Sequence, residues 1–501
     1  MTLSKILDGV TVIKMFQTMY GKMVATHDVE VNGVQYDSRK LQRGEMFVAI
    51  RGATADGHTF IDKAVANGAT VVVVEDDTAL PDSYFMHAGV VKIVVADSRK
   101  ALARMSANYY EHPSLKLKLI GVTGTNGKTT TTFLVKSILE ANGDKVGLIG
   151  TIEYKIGDDV IPATHTTPES LELNELLATL VRKGCTAAVM EVSSHALAQH
   201  RVYGLNFAAA AFTNLTQDHL DYHHTMDEYF RAKKILFDGL NSHASVATNV
   251  DDEYGVKIFS DTTARALTFG ISRGDVLADD IHLTMTATNF RVNYRNTRCY
   301  VSSTLIGRFN VENILAAFTT AVGLRIEPNT IVEGIASLKS VHGRFEQILS
   351  PSGWVAIVDY AHTHDGMENC LRAIHESFPK ERRGRIICVF GAGGNRDKTK
   401  RPKMGRVAAE LSDIVVLTSD NPRFEHAEEI VKDIQAGIPA GTNVHVEVDR
   451  RKAIRLALGM ARRDDVVLIA GKGHETYQVF GAERVPFDDR EEVEKYIRDT
   501  A

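Results

Sequence analysis

Leu119-Ile120-Gly121-Val122-Thr123-Gly124-Thr125-Asn126-Gly127-Lys128-Thr129-Thr130 is the stretch whose reading decides the fold. Leu117, Leu119, Ile120 and Val122 form a short apolar run that predicts a buried strand. The strand breaks into a loop with glycine at every third position, Gly121, Gly124 and Gly127. A helical pattern follows, with Leu134, Val135, Ile138 and Leu139 on one face and Gly143 placed to stop it. Strand, glycine loop, Lys-Thr and helix make a phosphate cradle. Backbone N–H groups turn inward, the helix N-terminus adds partial positive charge, and Lys128 reaches terminal phosphates. A threonine hydroxyl can ligate Mg²⁺. The usual P-loop carries a glycine where this chain has Val122, so nucleotide binding is expected in a variant form.

A chain of 501 residues leads us to expect about three domains. A net charge of −5, with no dominant basic stripe, argues against a nucleic-acid partner. Cys185, Cys299, Cys370 and Cys388 lie far apart without a CxxC pair, which fits buried thiols in a reducing cytoplasm. No apolar run approaches the roughly 20 residues of a membrane span, and the N-terminus lacks a signal pattern. A cytoplasmic, monomeric enzyme with no membrane partner is the expectation.

Outward from the loop, three α/β domains are expected: residues 1–100, 101–340 and 341–501. The first holds Asp37-Ser38-Arg39 and strand-like runs near 70–74 and 90–95. In the second, strands repeatedly end in polar groups: Glu191-Val192-Ser193, Thr213-Asn214, and Thr248-Asn249. Open parallel sheets bind ligands at such strand ends. Alternation between about 264 and 306 predicts a small antiparallel flap, and a helix opens near Val311. The third restarts a doubly wound, Rossmann-like pattern without a second P-loop. Its Gly391 to Gly394 cluster is not G-x-G-x-x-G, so a nicotinamide cofactor is not expected.

Glu191 and His219 are residue types that hold Mg²⁺ through one oxygen or one ring nitrogen. The dense run His219, His223 and His224 suggests zinc, but with Asp218 and Asp221 flanking it and no cysteine nearby a surface cluster is the favoured reading on sequence alone. Lys233-Lys234 reads likewise as a solvated helix face.

Nine motifs change that reading. GTNGKTT, MEVSSHALAQHRV, TNLTQDHLDYH, YFRAKK, GRFNVEN, DYAH, GAGGNRDKTKRP, DNPR and GKGHE occur in the order and spacing that resemble the Mur ligases. The resemblance runs from Asp37 to Glu475. It implies that Gly124, Thr125, Asn126, Gly127, Lys128, Thr129 and Thr130 bind ATP, with Thr129 on Mg²⁺. It implies that Glu191 and His219 ligate a second Mg²⁺, and that Lys233 is a carbamylated lysine whose two new oxygens help organise the metal site. Asn310, Asn313, Arg344, Asp359 and His362 would line the nucleotide. Ser38, Thr54, Thr166, Thr167, Ser193, Gln199 and Arg201 would hold a UDP-N-acetylmuramoyl-L-alanyl-D-glutamate substrate.

Acceptor choice falls to Asp420, Asn421, Pro422 and Arg423, with Arg396, Gly471 and Glu475 on the acceptor's other groups. Family members with this form resemble those that add meso-diaminopimelate, whose extra carboxylate suits the planar fork of Arg423. The family commonly has proline where this chain has His364, which questions only the local loop. The expected reaction is ATP-dependent amide formation through an acyl phosphate, with Lys128, Glu191, His219 and Lys233 central. Substrates on separate domains imply hinge closure. An L-lysine-adding member, a folylpolyglutamate-synthetase-like ligase and a non-catalytic P-loop regulator are the alternatives.

Overall fold

The computed structural model describes residues 1–52, 55–157, 159–163, 165–284, 286–378 and 384–500. The chain divides into two compact units, one of Met1–Gly121, Asp144–Ala208 and Ile235–Ala244, the other of Val122–Gly143, Ala209–Lys234 and Ser245–Ala501.

In the first unit a five-stranded sheet has the order Val12–Phe16, Val91–Val95, Val71–Val74, Met46–Val48 and Val34–Gln35. Only Val12–Phe16, at the edge, is antiparallel to its neighbour. Val71 to Val74 are all fully buried because both faces are covered: Val71 and Val73 face one cluster with Leu102 and Met105, Val72 and Val74 another with Ile61 and Phe85. That is why this strand reads as an unbroken apolar run. A second sheet follows the order Asp159–Pro162, Glu153–Ile156, Val146–Ile149, Ala187–Glu191 and Lys118–Thr123. The last strand leaves the first unit at Gly121 and enters the second at Val122.

In the second unit, Ala209–Phe212, Ser245–Asn249, Arg265–Gly270 and Val276–Leu283 run parallel, and Thr288–Tyr294 and Thr297–Ser303 return antiparallel. The antiparallel portion therefore begins at Val276, later than the alternation suggested. It continues the sheet at its edge, and Arg265–Gly270 belongs to the parallel part. The helix Arg308–Gly323, with Gly307 at its N-cap, opens one turn before the expected Val311 and is buried on nearly every side. It therefore carries both Asn310 and Asn313.

The C-terminal sheet has the order Glu346–Leu349, Val355–Asp359, Val466–Ala470, Ile386–Phe390, Ile414–Leu417 and Val444–Val446, parallel except at the first strand. Its side chains alternate between two cores. Ile357, Cys388, Val415 and Leu468 pack on Met367, Ile374 and Met404; Val358, Val389, Val416 and Ile469 pack on Ile454, Leu458 and Val493. Each such apolar side chain contributes about 1.5–3 kcal/mol on burial. Asp359, Gly391, Asp420 and Gly471 all lie at or just after the C-terminal ends of parallel strands, where this architecture places ligands. No described helix is long and apolar enough to cross a membrane. All four cysteines are buried and free.

Candidate active site

The glycine loop begins where Thr123 ends its strand. Gly124 and Gly127 hold φ of 153° and 84°, and a side chain on either would strike Thr213 Oγ1 or Asn313 Oδ1. Glycine is required at both positions. The loop is stitched to a neighbouring strand end: Thr125 N–H donates to Asn214 O at 2.8 Å, Asn126 N–H to Asn214 Oδ1 at 2.9 Å, and Thr213 Oγ1 to Asn126 O at 2.6 Å. Asn126 Nδ2 and Thr216 Oγ1 both donate to Asp365 Oδ2, at 2.8 and 3.0 Å. Lys128 lies along the loop, donating to Gly124 O at 3.0 Å and Thr125 O at 2.8 Å. Thr129 and Thr130 are buried in the first helical turn, and Arg344 Nη2 donates to Thr129 Oγ1 at 2.9 Å. The Arg344 guanidinium also lies 4.7 Å over the Tyr360 ring. Asn313 Nδ2 donates to Asn310 Oδ1 at 3.0 Å, as i, i+3 residues on one helix face can.

The bare reading of Lys233 as a solvated residue is overturned. Its side chain is 1% exposed, donates to Gly124 O at 2.8 Å, and lies 4.5 Å from the Tyr229 ring centre. Burial, with Lys128 nearby, pushes its ammonium well below the ordinary lysine range, against the pull of Asp218. Lys234 is 14% exposed and paired with Asp261 at 2.6 Å. The histidine cluster is likewise only partly at the surface: His223 is buried beside Tyr222 and Tyr229, while His219, at φ 55°, remains partly exposed 3.3 Å from Asp218. Burial alone would raise the Asp218 carboxyl, but His219, His362 and Lys400 hold it below the usual range. Asp359 accepts from Phe345 N–H and Ala361 N–H, both at 2.7 Å, and burial raises its pKa against Arg344. His362 is anchored by Nδ1 to Tyr360 O at 2.9 Å, and burial lowers its pKa.

His364 is the first residue of the helix His364–Ser377, capped by Thr363. That is the position where proline is favoured because no intrahelical N–H bond is needed, so histidine substitutes without disturbing the turn.

At the acceptor loop, Asn421 Nδ2 donates to Glu475 Oε2 at 2.8 Å, and Lys472 Nζ donates to the same oxygen at 2.8 Å. Arg423 Nη1 donates to Gly394 O at 2.9 Å and lies 3.4 Å from Asn421 O. A Cβ on Gly393 would sit 3.0 Å from Arg423 Nη1 and 3.7 Å from Arg396 Cγ, so two arginines flank that glycine. Burial and Arg396 lower the Arg423 pKa without threatening its charge. Asp420 is buried, with Gly471 against it. Glu425 takes Arg401 at 3.0 Å and so fixes the turn after Pro422, whose carbonyl accepts from Glu425 N–H.

In the first unit, Thr167 Oγ1 donates to Glu191 O at 2.8 Å and accepts from Ser193 N–H at 3.1 Å. Thr166 Oγ1 lies 3.0 Å from Thr151 Oγ1. Glu191 Oε1 and Oε2 accept from Thr151 N–H and Oγ1 at 2.8 and 3.0 Å. Arg201 donates to Thr167 O and Gln199 Oε1, both at 2.8 Å. Ser38 is buried in the turn after Val34–Gln35, its carbonyl accepting from Asn67. Thr54 lies outside the described residues. Sequence reasoning gave no role to Asp365, Asn214, Tyr229 or Lys472. Asn214, Tyr229 and Lys472 stand inside the family motifs and Asp365 follows DYAH closely, which was the available signal.

The model of the Mur ligase middle domain matches residues 122–321, that of the Mur ligase, glutamate ligase domain residues 343–473, and that of the Mur ligase family, catalytic domain residues 30–110. The UDP-N-acetylmuramoyl-L-alanyl-D-glutamate–2,6-diaminopimelate ligase 1 of Clostridium acetobutylicum is 47% identical over 94% of this chain and 96% of its own. The chain belongs to the Mur ligase family. Another Mur ligase, the diaminopimelate ligase of Caldanaerobacter subterraneus, is 44% identical over 94% of this chain and 96% of its own. The solved structure of a ligase of that same name superposes with a TM-score of 0.68 at 30% identity, covering 98% of this chain and 99% of its own. The Mur ligase middle-domain match begins at Val122, so the loop that carries valine in place of glycine lies within the matched domain.

Proposed function

We propose that this Mur ligase joins meso-2,6-diaminopimelate to the D-glutamate γ-carboxylate of UDP-N-acetylmuramoyl-L-alanyl-D-glutamate, converting ATP to ADP and phosphate, in cytoplasmic peptidoglycan precursor synthesis. Relatives carrying that name along nearly the whole chain support the reaction class. The observation that carries the acceptor assignment is the arrangement about Asn421: a guanidinium, Arg423, on its carbonyl side and a carboxylate, Glu475, on its side-chain amide. An amino acid with one more carboxylate than lysine pairs its far-end carboxylate with Arg423 and an ammonium with Glu475. A site built around a polar group can reject the analogue lacking it by ~10⁴-fold.

The chemistry needs little covalent help. The γ-carboxylate oxygen attacks the γ-phosphorus and ADP leaves; the diaminopimelate amine attacks the acyl carbon, phosphate leaves and the amine proton is lost. Gly124 to Thr130 cradle the phosphates through backbone N–H groups, with Lys128 at the terminal phosphate. Asn310, Asn313, Arg344, Asp359 and His362 are the proposed nucleotide contacts from other elements. Ser38, Thr54, Thr166, Thr167, Ser193, Gln199 and Arg201 are proposed for the nucleotide sugar, and Arg396, Asp420, Asn421, Pro422, Arg423, Gly471 and Glu475 for the acceptor.

The donor set fits Mg²⁺. Mg²⁺ takes a hydroxyl, a carboxylate or an imidazole from the protein and keeps waters and substrate phosphates as its other ligands. Thr129, His219, Lys233 as its carbamate, and Glu191 are the proposed protein ligands. When bound, Mg²⁺ neutralises charge on the phosphate oxygens. A neutral, buried Lys233 amine can add CO₂ and release a proton, becoming an anionic carbamate.

Incubation with ATP, the nucleotide sugar and meso-diaminopimelate, followed by mass spectrometry, tests the reading. A UDP-linked tripeptide in step with ADP is expected; ADP formation without it would overturn the assignment.

A further inference from the structure

Lys472 stands between Gly471 and Glu475, two of the proposed acceptor contacts, yet its own side chain is 0% exposed and lies out of a ligand's reach. Lysine is almost never so enclosed unless its charge is paired. Here the pairing follows from a turn. Glu475 N–H donates to Lys472 O at 2.9 Å, which folds the chain back just after the strand Val466–Ala470 and brings the two side chains together.

Lys472 Nζ donates to Glu475 Oε2 at 2.8 Å and to Asn421 Oδ1 at 3.3 Å. It lies 3.8 Å from Asp420 Oδ1, beyond hydrogen-bond reach, and 5.8 Å from the centre of the Tyr477 ring. Its principal partner is therefore Glu475. That carboxylate is used unequally. Oε2 accepts from both Lys472 and Asn421 Nδ2, each at 2.8 Å, whereas among the described residues Oε1 accepts no hydrogen bond. The Glu475 side chain is 17% exposed, so unlike the lysine it is open to a ligand.

Asn421 is itself immobile. Its Oδ1 accepts from Val479 N–H at 3.0 Å, its carbonyl accepts from Gly394 N–H at 2.9 Å, and its neighbour Asp420 accepts at the carbonyl from Gln478 Nε2 at 2.7 Å. Arg423 Nη1 lies 3.4 Å from that same Asn421 carbonyl. The guanidinium and the carboxylate are thus both referred to one fixed residue. Asn421 alone would hold Glu475 by a single neutral donor; Lys472 adds a charge-assisted one, roughly twice as strong.

We infer that Lys472 is a positioning residue for the acceptor: by holding Glu475 Oε2 it presents Oε1 to an ammonium of the incoming amino acid. This inference rests on the proposed acceptor contacts. A carboxylate already fixed in place loses no further side-chain freedom when the ligand arrives, and its distance from Arg423 matches only an amino acid whose ammonium and carboxylate are correspondingly spaced. A lysine that merely cancelled the charge of Glu475 would have the opposite effect, and its removal would tighten binding.

Steady-state kinetics of the full-length protein separate these cases. Lys472→Met is expected to raise the KM for meso-diaminopimelate about tenfold, the scale of immobilising one side chain anew. Over the same comparison kcat, and the KM values for ATP and the nucleotide sugar, should hold within about threefold. In a Glu475→Gln background, already weak for the acceptor, adding Lys472→Met should cost no more than about threefold, because the bond it removes is no longer a charged one. An equal loss in both backgrounds, or KM values rising together for every substrate, would mean that Lys472 merely supports the fold and would overturn the inference. An unchanged or lower KM for meso-diaminopimelate would overturn it too. If Lys472→Met misfolds, the double variant decides: folding restored by Glu475→Gln, with the KM of Glu475→Gln alone, supports the inference, and a double variant that also misfolds overturns it. Wild-type protein that uses L-lysine in place of meso-diaminopimelate, or neither, would overturn the functional reading, and the inference with it, before any variant is compared.

Discussion

Lys233 Nζ donates to the carbonyl oxygen of Gly124 across 2.8 Å, joining a fully enclosed amine to the phosphate-binding loop. Burial favours the neutral amine, which is the form that adds CO₂. Lys233→Ala is expected to lower kcat by about 100-fold or more, the scale of losing one preorganised electrostatic group. Lys233→Arg should not rescue it, because a guanidinium stays protonated. Steady-state assays with and without added bicarbonate, with intact-protein mass spectrometry for the CO₂ adduct, check this. Full activity in Lys233→Ala would refute the assigned role.

Arg423 has a backbone φ of 53° and is pinned by Arg423 N–H to Val479 O at 3.0 Å, so its guanidinium projects from a fixed base. Arg423→Lys keeps the charge but loses the fork. We expect kcat/KM for meso-diaminopimelate to fall by about 100-fold, with no compensating gain for L-lysine. Parallel kinetics with the two acceptors read the result directly.

Asp365 clamps Asn126 and Thr216 through one oxygen. Asp365→Ala leaves the Asn126 amide without that partner, a cost of about 1–3 kcal/mol. The KM for ATP should rise about tenfold or more while the KM for the nucleotide sugar stays near wild type. A uniform loss across substrates would contradict a loop-specific role.

Glu425 is held at about 2 by hydrogen bonds from Arg401 and Asn395 N–H, against an ordinary 4.5. A depressed carboxylate contributes stability above its unfolded pKa and loses it as pH falls through the folded one. Its contribution is therefore complete above about pH 4.5 and gone near pH 2. Urea unfolding should show Glu425→Gln less stable than wild type at neutral pH, with the gap closing across that window.

Much of this was readable from the chain because it follows local rules. Strand 118–123, its glycine loop and the helix Lys128–Ala141 follow from apolar spacing and from glycines whose φ values no other residue accepts easily. The alternating cores of the C-terminal sheet follow from runs such as Val466–Ala470. Burial of polar groups was not readable. Nothing local distinguishes the enclosed Lys233 or His223 from a solvated lysine or histidine, because the walls come from distant segments. Asn126 meets Asp365 across 239 residues, and Thr129 meets Arg344 across 215. The parallel pairing of Arg265–Gly270 escaped for a similar reason, since its register is set by Ser245–Asn249 and not by its own alternation.

Phosphate release from ATP, with UDP-N-acetylmuramoyl-L-alanyl-D-glutamate and either meso-diaminopimelate or L-lysine, tests the central claim most directly. Release with meso-diaminopimelate, and background release with L-lysine, is the predicted result. Equal or faster release with L-lysine would contradict it, and with it the role given to Arg423.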